Sequence, residues 1–464
     1  MLNAGADIVG EIAGEIAGES VAHTDAIAKG EGRTRLRLVI IGNGMSCLRL
    51  LENLLELAPH RFDRFEIQVF GAEPEPAYNR IQLSALLSDE ASAQDILLQS
   101  REWYAAHAVH LHTQARVLHI DRQRRCIQVQ QAQQRFECGY DLLVIATGSL
   151  PLMPALPGID LPGVLAYRDV RDTQAMMDAA AQYRQAVVIG GGLLGLEAAN
   201  GLQRRGMQVT LVHRMSWLME RQLDAPAAAL LQYALSARGI RFRLDAVTEC
   251  LLPAAAQPGD AASGDTPSGD TRPGDTPPRV ATVCLADGER LPAQLVVVAI
   301  GIRPDMALAQ QAGLHCQRGI VVNDHLQSSD PGIYALGECA EHRGICYGLV
   351  APLYEQAAVL ARQLQSHLRT APDTPRYAGS LLSTRLKVAG MEVFSAGQIQ
   401  AEAGDEELIL SDPQGGVYRK LVLRDDRLRG AVLFGDSAGA AQLLDCLLHA
   451  TPLGMLREQL LCAA

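Results

Sequence analysis

The sequence predicts an α/β protein with two Rossmann-like units and a small α+β domain behind them. A strand, a glycine turn, a helix and a second strand follow one another from Leu36. The same order returns from Ala186, about 150 residues later. After about Gly379 the character changes to short apolar runs separated by polar turns, without further glycine loops of this kind.

The bulk composition allows such an architecture. With 464 residues, 48% hydrophobic and 20% charged, the chain has room for two or three domains with cores of their own. Aromatic residues make up only 4%, so the core must be built of Leu, Val, Ile and Ala. A net charge of −11 argues against nucleic-acid binding and fits a protein acceptor that docks through a basic patch. The ten cysteines contain no C-x-x-C pair and no zinc or iron–sulfur spacing, so no metal site is expected. They read as small buried apolar groups in a reducing compartment. The opening run GEIAGEIAGES lacks the basic and apolar regions of a signal peptide, and no stretch of 18 apolar residues occurs. A cytoplasmic protein without a membrane span is expected.

Residues 1–33 are expected as a disordered tail. The run from Leu36 to Ile41 has the pattern of a buried strand, and Leu48, Leu51 and Leu55 form the stripe of a following helix. A second strand runs from Glu66 to Phe70. Between them stands Gly42-Asn43-Gly44-Met45-Ser46-Cys47. Gly42 and Gly44 permit a tight turn that brings backbone N–H groups to a pyrophosphate at the helix N-terminus. Cys47 takes the place of the third glycine of that fingerprint. Glu73, 31 residues after Gly42, is the acid within reach of adenosine ribose hydroxyls. Alone, this motif is matched equally well by an ordinary glycine turn.

The second unit is fuller. Gly190-Gly191-Gly192-Leu193-Leu194-Gly195-Leu196-Glu197 follows a strand from Ala186 to Ile189 and opens a helix. Gly190, Gly192, Leu193 and Gly195 are expected to hold a dinucleotide. Glu197 faces its nicotinamide or serves the structure. Where an NADH site places an acid, after the strand from Val209 to Val212, stand His213 and Arg214, with Arg221 further on. Such cations favour the 2′-phosphate of NADPH; alternatively they face solvent and either NADPH or NADH is accepted. Residues 256–278, an imperfect Gly-Asp-Thr/Pro repeat, are expected as a disordered insertion. The apolar strands ending at Ala146-Thr147-Gly148 and at Gly301 mark where the chain crosses between domains. Gly337-Glu338 ends a short strand with a carboxylate able to accept from sugar hydroxyls; the alternative is a plain turn. Strands are expected at Leu408–Leu410, Val417–Leu423 and Leu428–Phe434, and a closing helix at Ala438–Leu448.

Together these motifs resemble the pyridine-nucleotide flavoproteins with two dinucleotide-binding domains. The resemblance implies an FAD domain split in sequence into residues 34–150 and 304–376. An NAD(P) domain (151–303) is inserted into it, and a C-terminal α+β interface domain follows (377–464). It implies FAD contacts from Gly42, Gly44, Met45, Glu73, Arg80, Val117, Ala146, Thr147, Gly148, Gly337 and Glu338, with Glu338 in place of the family's usual Asp. Gly301 falls on the NAD(P) side. A narrower resemblance, to the flavin module of assimilatory nitrite reductase large subunits and to assimilatory nitrate reductase electron-transfer subunits, is carried by several segments. They are Ile40–Met45, Tyr78–Ser84, Gly190–Ala199, Glu220–Asp224, Gly301–Pro304, Tyr334–Ala340, Gly348–Pro352 and Arg385–Gly390.

In nitrite reductase large subunits this module precedes iron–sulfur and sirohaem regions, which residues 1–464 lack. The expectation is therefore an NAD(P)H oxidoreductase passing electrons through FAD to a separate iron–sulfur, sirohaem or molybdenum reductase component. Disulfide reductases of this fold carry a cysteine pair just after the first helix. The segment Tyr78–Ser84 holds no cysteine, so no dithiol relay and no classical catalytic residue is expected. Reduction of rubredoxin or ferredoxin, and NAD(P)H oxidation by oxygen, stay open. So does a slow-turnover redox sensor or scaffold, with Cys47 and the 213–214 pair as its features. The resembling family often uses its C-terminal domain at an interface, which leaves a homo-oligomer open.

Overall fold

The computed structural model describes residues 35–57, 64–254, 278–368, 375–388 and 390–462. The expected tail 1–33 and residues 256–277 of the expected insertion lie outside the described residues.

The first sheet is parallel, in the spatial order Ile333–Ala335, Leu142–Ile145, Leu36–Ile41, Phe65–Phe70, Val109–His112. A parallel sheet is covered on both faces, which is why residues 38–41 and Leu142–Ile145 at its centre read as unbroken apolar runs. Leu38, Val39 and Ile40 on the central strand are fully or almost fully buried. The helix Met45–Leu57 turns Cys47, Leu48, Leu50, Leu51 and Leu54 inward and packs beside the helix Val350–Ser366. The expected stripe is therefore real, though Leu55 is only partly covered.

The strand Ile333–Ala335 rejoins this sheet nearly 190 positions after Leu142–Ile145 leaves it, so the first domain is interrupted in sequence. What intervenes is a second parallel sheet, ordered Arg241–Arg243, Gln208–Val212, Gln185–Ile189, Leu295–Val298, Val164–Ala166. The chain leaves and returns through one antiparallel ribbon, in which Ser149–Pro151 pairs with Ile302–Pro304. The two glycine-ended strands expected as crossing points feed its two halves.

A five-stranded antiparallel sheet closes the described chain, ordered Ser383–Val388, Met391–Gly397, Arg427–Phe434, Val417–Arg424, Glu406–Asp412, with the helix Ala440–His449 beside it. Its first hairpin was not among the expected strands. The sheet docks on the second domain through a buried polar network. The Tyr418 hydroxyl donates to Asp224 Oδ2 at 2.7 Å, and Lys420 Nζ lies 3.4 Å from the same oxygen and 2.5 Å from Glu407 Oε1. Asp224 also caps the helix Ala225–Ser236 by accepting from the Ala227 N–H. No helix among the described residues is long and apolar enough to cross a membrane.

Candidate cofactor-binding site

Both parallel sheets end in a glycine loop at the carboxyl edge of their central strand, the place where open α/β sheets bind ligands. Gly42 has φ +107° and Gly190 φ +122°. A Cβ at Gly42 would overlap the Ala146 carbonyl, and one at Gly190 would overlap the Ala299 carbonyl. Only glycine lets the neighbouring strand ends approach this closely. Gly195 has the third-glycine role in the second loop, since its Cβ would meet the Gly190 carbonyl. In the first loop Cys47 fills that place fully buried, and burial pushes its thiol up to about 12. A thiol held protonated is a packing group, not a redox group.

Gly44 and Gly192 differ from these. Apart from the adjoining backbone, no atom of the described residues lies within 4 Å of the position a Cβ would take at either. Each therefore opens onto free space at a helix start, Met45 in the first loop and Leu193 in the second. The Gly192 cap makes no side-chain hydrogen bond to the N–H groups of its helix. Unpaired N–H groups beside free space are what a dinucleotide pyrophosphate requires. Two further buried groups fit a bound cofactor at the first loop. Asn43 Nδ2 and Gln356 Nε2 have no hydrogen-bond partner, although Asn43 Oδ1 accepts from Tyr104 and Gln356 Oε1 from the Gly337 N–H.

Around the first loop the expected FAD residues converge on Arg168, which no sequence motif marks. Glu338 Oε2 accepts from the Ser149 hydroxyl at 2.7 Å and from Arg168 Nη2 at 2.5 Å. The Arg168 carbonyl in turn accepts from Arg80 Nη1 at 3.2 Å. Arg80 also pairs with Glu73, whose other oxygen accepts from the Tyr78 hydroxyl at 2.6 Å. Gly148 lies against Arg168 and Glu338, and Thr147 Oγ1 donates to the Asp305 carbonyl at 2.6 Å. Both carboxylates expected at the sugar hydroxyls are thus neutralised by arginines, which lowers the cost of enclosing them. Met45 opens the helix, and Ala146 lies at the Gly42 contact. Val117 is buried in the first core, in the strand Ala115–Asp121. Arg168 precedes the cap Asp169 of the helix Val170–Gln182, a position with no sequence signal for a ligand.

At the second loop Glu197 sits one turn into the helix, and burial with no offsetting cation pushes its carboxyl up to about 8. The hydroxyl of nearby Tyr167 is buried without a partner. The raised value gives a pH-dependent stability. Between the usual carboxylate value near 4.5 and about 8, the unfolded chain ionises while the folded chain keeps its proton. Stability is therefore lost as pH rises through that window and is level above it. Glu197→Gln, which mimics the protonated form, should stabilise the protein by on the order of 3 kcal/mol at pH 9 and by under about 1 kcal/mol at pH 5. Urea unfolding at the two pH values reads this directly; an equal change at both would deny Glu197 its raised value.

His213 corrects an expectation. Its ring is buried, Nδ1 accepts the Gly191 N–H at 3.1 Å, and Nε2 lies 3.2 Å from Glu220 Oε2. Both nitrogens are engaged inside the protein, so His213 has no N–H to offer a 2′-phosphate. Arg214 and Arg221 are exposed, and Gly301, with φ +126° and open space beside it, follows the Leu295–Val298 strand.

A family model described as pyridine nucleotide-disulphide oxidoreductase matches residues 36–363, and one described as rubredoxin NAD+ reductase C-terminal domain matches residues 383–451. The chain is 44% identical over 407 residues to a nitrite reductase [NAD(P)H] of Bacillus subtilis (strain 168), covering 88% of this chain and 46% of that protein. It is 43% identical over 425 residues to the assimilatory nitrate reductase electron transfer subunit of the same organism, covering 92% and 51%. The chain thus spans about half the length of these relatives. Among solved structures, the putidaredoxin reductase–putidaredoxin complex matches with TM-score 0.77 at 23% identity, covering 92% of this chain and 99% of that one. NADH:rubredoxin oxidoreductase from Clostridium acetobutylicum matches with TM-score 0.69 at 20% identity, covering 90% and 96%. At such identities these structures speak for the fold.

Proposed function

Since the chain belongs to the pyridine nucleotide-disulphide oxidoreductase family, we propose that it is an FAD-dependent NAD(P)H oxidoreductase that hands electrons to a separate redox protein, a component of nitrate or nitrite assimilation. The observation that carries this reading is the pair of open glycine positions, Gly44 and Gly192, one at each dinucleotide loop of a single chain.

FAD held at the first loop would supply the redox chemistry that links a nicotinamide hydride donor to an electron acceptor. The protein's own part is binding and orientation. Gly42, Gly44 and the start of the Met45–Leu57 helix hold the FAD pyrophosphate. Glu73 and Glu338 accept from its sugar and ribitol hydroxyls, each kept in place by its arginine. Gly190, Gly192 and the start of the Leu193–Arg204 helix hold the nicotinamide dinucleotide. Glu197, protonated at neutral pH, meets the nicotinamide end as a neutral group.

The acceptor is proposed to be an iron–sulfur, sirohaem or molybdenum component. The test is reconstitution. The purified protein and NADH or NADPH, added to a catalytic nitrate or nitrite reductase component lacking its own reductase, should restore substrate turnover in proportion to the added protein. No restoration by either nucleotide would contradict the proposal. The match of residues 383–451 to a rubredoxin reductase domain supports a second reading, reduction of rubredoxin or ferredoxin. Of the features behind the sensor reading, Cys47 is fully buried and His213 is bonded to Gly191 and Glu220, which favours the reductase reading.

A further inference from the structure

A Rossmann site for NADH presents a carboxylate at the end of its second strand, where it accepts from the ribose 2′-hydroxyl and repels a 2′-phosphate. In this chain the strand Gln208–Val212 ends in His213, and no acid is adjacent in sequence. The fold brings one there from seven residues away. His213 Nδ1 accepts from Gly191, which leaves the ring proton on Nε2, and Nε2 donates to Glu220 Oε2 at 3.2 Å.

The loop that bears Glu220 is fastened to the same glycine. The Met219 N–H donates to the Gly191 carbonyl at 3.0 Å, and the Gln222 and Leu223 N–H groups donate to the Met219 carbonyl at 2.8 Å each. Met219 adopts φ +53°, a conformation costly for a non-glycine residue, with its side chain buried beside the fully buried Leu218. Asp224, held by Tyr418 and Lys420, closes the loop's far end. Glu220 itself keeps 30% of its side chain exposed, so the carboxylate is fixed by His213 yet open to a ligand.

We infer that Glu220 supplies the carboxylate that accepts the adenosine ribose hydroxyls, that His213 is its positioning residue, and that the chain prefers NADH to NADPH. The inference rests on the dinucleotide reading of the second loop. It replaces the preference suggested by the His213-Arg214 pair, whose histidine is turned inward onto Gly191 and Glu220.

The test is equilibrium binding of NADH and NADPH to the FAD-loaded protein, read by calorimetry and so independent of turnover. The wild-type protein should bind NADH roughly tenfold or more tighter than NADPH. Glu220→Gln should weaken NADH by about tenfold while leaving NADPH unchanged or tighter. Glu220→Asp, with a shorter reach, should shift the ratio in the same direction by less. Tighter NADPH binding by the wild-type protein would overturn the inference, and so would equal losses for both nucleotides in Glu220→Gln. If Glu220→Gln does not fold, the wild-type ratio and Glu220→Asp decide. Binding of neither nucleotide would instead overturn the dinucleotide reading of the loop, and the inference with it.

Discussion

Replacing Gly44 by valine should give a folded but colourless protein. The expectation follows from what surrounds the two glycines of the first loop. At Gly42 an added Cβ strikes the backbone of the neighbouring strand, so substitution there damages the fold itself. At Gly44 no atom of the described residues beyond the adjoining backbone lies within 4 Å of the new Cβ, so the chain can accommodate valine. What the valine fills is the space at the helix start, where the pyrophosphate needs direct approach to backbone N–H groups. Flavin content of the purified variant should fall by about tenfold or more, with circular dichroism unchanged. Flavin retained at wild-type stoichiometry would remove the first loop from the FAD site.

Gly192→Val separates the two nucleotides. The second loop has the same free space, and the loop proposed for FAD lies on the other sheet. The variant should therefore keep its flavin and be reduced normally by dithionite. Reduction by NADH or NADPH should slow by roughly 100-fold at subsaturating nucleotide, the loss expected when several charge-assisted phosphate contacts are removed. Normal reduction by nucleotide would mean that the second loop serves something else. Loss of flavin in this variant would mean that the two loops have been assigned in the wrong order.

Much of this site is legible in the sequence because its hardest constraints are local. A strand that must end at a backbone crossing leaves glycine as the only choice, so Gly42 and Gly190 can be read from the chain alone. The interruption of the first domain followed from resemblance, and the return of Ile333–Ala335 to the first sheet is its structural form. Contacts across sequence could not be read the same way. Arg168 reaches Glu338 from 170 positions away, and the arginine is preceded and followed by nothing that marks a ligand. Charge alone points His213 at a phosphate, whereas its place is set by Gly191 on one side and Glu220 on the other. The hairpin Ser383–Gly397 escaped because Arg385, Lys387 and Glu392 interrupt its apolar pattern. The fold buries part of this hairpin against the second domain.

The central claim is that electrons enter from a nicotinamide nucleotide and leave to another protein. It is tested most directly by anaerobic stopped-flow in two mixes, first with NADH or NADPH and then with a catalytic nitrate or nitrite reductase component. The account predicts rapid bleaching of the flavin band by nucleotide, faster with NADH, and rapid recovery of the band on mixing with that component. Bleaching followed by recovery only with oxygen or rubredoxin would contradict the assigned acceptor. No bleaching by either nucleotide would contradict the account as a whole.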